Sequence, residues 1–199
     1  MDGARRNWSL VAALLLACAF APPARASVVM TLSFDELAAQ ATRVVLGNVE
    51  SVQARWSADG KKIETVVEIA VDVEVSNASG GATVRVVQPG GTIGDVGLWV
   101  GGMPEFKQGE RVLVFLRVLG PDIDGRTKHS VVGMAQGKFN VLPRIGGGFD
   151  VVQRIPMGLA LAEADADGVI RPNEQLRPLV LDLDEALARI RLVRGEVTS

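Results

Sequence analysis

Residues 63–75 read Ile63-Glu64-Thr65-Val66-Val67-Glu68-Ile69-Ala70-Val71-Asp72-Val73-Glu74-Val75, and this alternation decides the fold. The odd positions are β-branched, whereas Glu64, Glu68, Asp72 and Glu74 occupy even ones. Successive strand side chains point to opposite faces, so the run predicts a strand buried on one face and wet on the other. Upstream, residues 44–56 read as its hairpin partner across an Ala58-Asp59-Gly60 turn. Downstream, 82–87 predicts a third strand, with Val84 and Val86 inward and Thr83 and Arg85 outward. Residues 112–118 are apolar on both faces, as in a strand covered on both sides. Residues 131–142 and 149–155 predict another hairpin, and 98–100 a short strand inside the irregular, Gly-rich stretch 88–109.

Helices bracket these strands. Ser33 and Glu36 have capping-box spacing for a helix over 33–42, with Leu32 and Leu37 placed as a hydrophobic staple. A second helix is expected near 183–194, opened by Asp182 and Glu185, with Ala186, Leu187, Ile190 and Val193 as its apolar stripe. The expected fold is mainly β: a small closed or partly open, OB-like barrel of five to six antiparallel strands, with a short N-terminal helix and a C-terminal amphipathic helix. A β-sandwich is the alternative, because local patterns leave strand order open.

Residues 1–26 read as an export signal. Arg5 and Arg6 precede an apolar run over 10–21, Pro22 and Pro23 end it, and Ala24-Arg25-Ala26 offers a cleavage site. Residues 27–199 then form one β-rich domain in the periplasm or outside the cell. The alternative is a lipoprotein anchored through Cys18, which follows Leu15-Leu16-Ala17. Cleavage at Ala26 removes Cys18, the one cysteine, so the mature chain has no disulfide, thiolate metal site or cysteine nucleophile. Losing Arg5, Arg6, Arg25 and Asp2 takes the formal net charge from −2 to −4, without the basic excess that nucleic-acid binding requires. No later segment approaches the roughly 20 apolar residues of a membrane span, so no transmembrane anchor is expected in the mature form.

Three stretches carry a resemblance. The first is Phe34-x-Glu36-Leu37 … Val44-Val45-Leu46-Gly47-x-Val49-x-Ser51-Val52 with Trp56, Asp59 and Gly60. The second is Gly101-Gly102-Met103-Pro104-Glu105-Phe106 … Gly109-Glu110-Arg111-Val112-Leu113-Val114-Phe115-Leu116, and the third Val132-Gly133-Met134-Ala135-Gln136-Gly137-Lys138-Phe139. Together they resemble a group of exported bacterial proteins of unknown function, which implies export and an OB-like β domain. The strand around Val44-Val45-Leu46-Gly47 is also faintly similar to netrin and metalloprotease-inhibitor OB domains, whose N-terminal cysteine cluster this mature chain lacks.

Candidate chemistry is sparse. His129, the sole histidine, sits in a polar loop without a visible partner, and no Gly-x-Ser-x-Gly elbow occurs. Glu163, Asp165, Asp167 and Glu174 fall at loop positions one, three, five and twelve of a Ca²⁺ loop, with Gly168 at six and Ile170 at eight. Glu163 replaces the usual Asp, and Pro172 obstructs an exiting helix, so an acidic turn at Asp167-Gly168 is the plainer reading. Calcium is the one cofactor this sequence raises. Leu98, Trp99, Met103 and Phe106 stand among the glycines of 90–109, and Trp56 at a strand end; exposed apolar groups on a loop need a partner. The expected function is a non-catalytic binding or structural module for a protein or envelope component. A hydrolase using carboxylates such as Glu105 or Glu110, and a Ca²⁺-stabilised structural module, are the alternatives.

Overall fold

The computed structural model describes residues 27–75, 81–156, 159–164, 167, 169–172 and 178–195. The alternating stretch becomes β3 (Ile63–Glu74), antiparallel to β2 (Arg43–Trp56) and to β4 (Thr83–Pro89). β7 (Arg111–Pro121) pairs with β2 on one edge and, through its second half, with β8 (Thr127–Val131) on the other. β8 also meets β4, in parallel. The circuit β2-β3-β4-β8-β7 therefore returns to β2, a five-strand ring of OB-like order. The parallel contact departs from the all-antiparallel expectation: β8 arrives from the β7 hairpin and must run alongside β4 to close the ring.

Beyond the ring, the first half of β7 continues the sheet through β9 (Lys138–Pro143), β10 (Phe149–Gln153) and β13 (Val180–Asp182). Among the described residues the main sheet thus has eight strands, more than the five or six expected. The predicted hairpin over 131–155 is β9–β10, and its first strand starts later because a 3₁₀ turn, Met134–Gly137, intervenes. β5 (Gly91–Ile93) and β6 (Val96–Leu98) make a separate ribbon, so the short strand precedes Trp99 instead of containing it. β1 (Ser27–Met30), β11 (Leu159–Ala164) and β12 (Ile170–Pro172) form a third small sheet, with β1 parallel to β11.

Two bulges bend the β2–β3 ladder, leaving Asp72 and Glu50 without opposite residues. Bulges sharpen twist and let a sheet curl toward closure. The bulge at Asp72 also shifts the alternation, so Val71 packs toward the barrel interior while Val73 and Val75 pack under the helices. Gly47 lies at this bend, where a Cβ would stand 2.1 Å from the Ala70 carbonyl oxygen; only glycine fits.

β7 separates two cores, as its two apolar faces predicted. Val112, Val114 and Leu116 face the barrel interior with Val45, Val67, Ile69 and Val84. Leu113 and Phe115 face α1 (Phe34–Gln40) and α2 (Leu183–Val193). There Phe34, Phe115 and Phe139 meet edge to face at centroid distances of 5.3–5.8 Å. The capping box forms as predicted: the Glu36 amide donates to Ser33 Oγ, and the Ser33 amide donates to Glu36 Oε2. Asp182 caps α2 by accepting from the amides of Asp184 and Glu185.

The outer face of β3 is not wholly wet. The β7–β8 tip folds over it and places Asp122, whose side chain is fully buried, between Arg55 and Arg85. Arg85 also pairs with Glu68 and Asp124, and Arg55 with Glu64. The Arg55 bond and the Arg85 bond hold the Asp122 carboxyl far below the usual aspartate range against the opposing effect of burial. Among the described residues no helix is long and apolar enough to cross a membrane.

Candidate functional site

The stretch 90–110 leaves β4, forms the β5–β6 ribbon and re-enters at β7, so it lies across one end of the ring. Thr65 Oγ donates to the Gly90 carbonyl at 2.7 Å, and Gln88 Nε2 to that of Pro104 at 2.8 Å, tying the stretch to β3 and β4. Between ribbon and barrel lies a groove of about 460 Å³. Leu98, Trp99, Met103 and Phe106 all line it, joined by Val52 from β2. The sequence thus identified four side chains that the fold brings together.

They do different things. Trp99 is 75% exposed and projects as an indole platform, Leu98 beside it is also exposed, and Met103 is half-buried. Phe106 is only 8% exposed and belongs to the barrel core, plugging the floor of the groove. Trp56 stands apart, half-exposed opposite Ile63 in the last β2–β3 pair and outside the groove lining.

Gln88 supplies a feature with no sequence signal. Its Oε1 is buried and has no hydrogen-bond partner, while its Nε2 is committed to Pro104. Flipping the amide would set two carbonyl oxygens against each other, so the unpaired acceptor stays buried beneath the groove wall.

A second pocket of about 200 Å³ adjoins the first, sharing Glu105, Lys107 and Pro156. Lys138 from β9 lies buried there, donating to Asn140 Oδ1 at 2.8 Å and Glu110 Oε2 at 3.1 Å, with its ammonium 5.4 Å from the Phe106 ring centroid. Burial pushes the Lys138 amine below its ordinary value despite Glu110. For Glu110, burial works upward, but the Lys138 bond and charge prevail and hold it below the carboxylate range. A glutamate held ionised in this way is poor as a general acid at neutral pH. Arg154 and Lys107 line the same pocket with exposed side chains and no ion pair among the described residues.

Away from the groove, His129 is buried, with Nδ1 3.0 Å from the Arg85 carbonyl oxygen. Desolvation keeps it below the ordinary histidine value. Of the calcium-loop residues, Asp165 and Glu174 lie outside the described residues, as do residues 1–26. Glu163 sits in β11 opposite Arg171 of β12, and Asp167 in the turn between them. The described residues contain no group of three or more acidic, histidine or cysteine side chains arranged to hold a metal.

Compared with protein-family models, with curated proteins and with solved structures, the chain matches none.

Proposed function

We propose that this protein is an exported, non-catalytic module that binds a protein partner of the cell envelope through the groove at the end of its barrel. The observation that carries the reading is Trp99, a large ring left three-quarters exposed beside a concave apolar surface. Rigid aromatic side chains next to such concavities are the usual anchors of binding energy. Export rests on the leader-like composition of residues 1–26 and on the resemblance to exported bacterial proteins.

Binding is tested by capturing partners from the native envelope fraction, then titrating the captured partner against wild type and Trp99→Ala. Loss of an anchor costs about 2 kcal/mol, or roughly thirtyfold in affinity. Equal affinity for both forms would remove the groove from the interface. Export is tested by N-terminal sequencing of protein from cells. A start at Ser27 is expected, whereas a blocked Cys18 would indicate a lipid anchor.

A further inference from the structure

We infer that the joint between β4 and β8 is a seam in the barrel that opens in mild acid, when His129 takes up a proton that the closed seam cannot accommodate. Three features of the fold meet at this joint.

The first is the length of the ladder. β8 pairs with β4 where Arg85 stands opposite Lys128 and Val86 opposite His129, which makes it the shortest of the five ladders in the ring. It is also the parallel one, and parallel pairing is slightly weaker per residue. A joint held by so little ladder can open locally at a smaller cost than unfolding the whole domain.

The second is the place of the sole histidine. His129 is 4% exposed and lies opposite Val86, a fully buried member of the barrel core. Its Nδ1 is 3.0 Å from the Arg85 carbonyl oxygen, and a carbonyl can only accept, so the resident proton sits on Nδ1. That bond fastens β8 to β4 by a side chain and leaves Nε2 to receive any second proton.

The third is the company the second proton meets. Burial does most to keep the imidazole below its ordinary value, and the Arg43 charge on β2 adds to it, against the Arg85 carbonyl and Glu74 of β3. Glu74 is already paired with Arg43 at 2.7 Å. Arg85, Arg126 and Glu68 line the same cavity of about 510 Å³ as His129, and Glu68 is paired there with both guanidinium groups. Lys128, next along β8, brings a further positive charge. Opening the joint hydrates the ring and lifts the burial cost. Below the ordinary histidine value of about 6.5, the open form therefore binds the proton first and gains population as the pH falls. Asp122 is still ionised in that range, so its grip on Arg85 keeps the β7–β8 tip anchored while the seam loosens.

The test is amide hydrogen exchange of the full chain at pH 7.5 and pH 5.5, read residue by residue by NMR and corrected for intrinsic rates. Amides at 85–87 and 128–130 are expected to be less protected than those of the β2–β3 ladder at both pH values. Their protection should fall at pH 5.5 by up to about tenfold, the ceiling that one proton sets one unit below 6.5. His129→Asn keeps a donor near the Nδ1 position but takes no charge, and should abolish the fall. Unchanged protection in the wild type overturns the inference without any variant. Seam amides as protected as β2–β3 at both pH values would mean that His129 is exposed through global unfolding alone, and would remove the seam. A fall that persists in His129→Asn would pass the effect to other groups and overturn the role of the histidine. So would an imidazole that titrates, by NMR, at or above the ordinary histidine value.

Discussion

The outside of this barrel carries two covers that solve the same problem with different chemistry. Over β2, β7 and β9, two helices bury an apolar layer centred on Phe34, Phe115 and Phe139. Over β2, β3 and β4, the β7–β8 tip is held by carboxylates and guanidinium groups, with Asp122 at the centre. The first cover gains from removing apolar area from water, a contribution nearly indifferent to salt and pH. The second depends on charges that must stay ionised and paired. One molecule should therefore have one wall that ignores acid and another that fails in it.

The largest effect is expected at the apolar cover. Phe115 is fully buried and touches both other rings, so Phe115→Ala leaves a cavity the helices cannot refill. Urea unfolding should show a loss of about 4 kcal/mol, the same at pH 4.5 and pH 7 and in low or high salt. A loss that shrank sharply with salt would mean that the helices are held by charge as well.

The ionic cover should yield a smaller and pH-dependent loss. Asp122→Asn keeps the shape but removes the charge that Arg55 and Arg85 share, and about 2 kcal/mol should go at pH 7. Arg55 and Arg85 keep Glu64, Glu68 and Asp124, which limits the damage. The folded state holds Asp122 below its unfolded value, so its contribution is complete above about pH 4. It fades as pH falls through the folded value, because the unfolded chain binds the proton first. The two proteins should therefore converge in stability below pH 4. A constant gap down to pH 2 would show that packing, not charge, holds the tip.

The same contrast explains what could be read in the sequence. The apolar cover announces itself locally: capping residues at Ser33 and Asp182, helical stripes, and a strand apolar on both faces. The ionic cover does not, because Glu64 and Glu68 on an alternating strand look like a solvent face, and Asp122 and Asp124 look like a turn. What joins them is a contact between Arg85 and Asp122, 37 residues apart, which no local period encodes. The bulge at Asp72 was equally silent, although it decides which core Val73 enters. At the groove, large apolar residues among glycines single out Leu98, Trp99 and Met103 as a candidate binding surface, and the three line one groove. That signal could not separate a platform from a plug, so Phe106 looked like its companions until the fold buried it. Gln88, Lys138 and Arg154 come from strands and a strand end, where polar residues carry no pattern of their own.

The smallest effect sharpens the contrast from the other side, because the apolar cover has an ion pair too. Arg189 of α2 grips Asp35 of α1 with Nε and Nη2, at 2.6 and 3.0 Å, and lowers the Asp35 carboxyl mainly through that hydrogen bonding. Its geometry rivals the Asp122 contacts, yet both side chains are more than two-fifths exposed. Water and salt screen such a pair, and ordering two long side chains offsets much of its attraction. Asp35 also lies in the first turn of α1, where a negative charge is favourable without any partner. A double-mutant cycle of Asp35→Ala and Arg189→Ala removes that helix-end contribution and should leave a coupling of about 0.5 kcal/mol, lost in high salt. A coupling as large as the Asp122 loss would mean that exposure does not decide what an ion pair is worth here. The two covers would then differ in their residues but not in the physics that holds them.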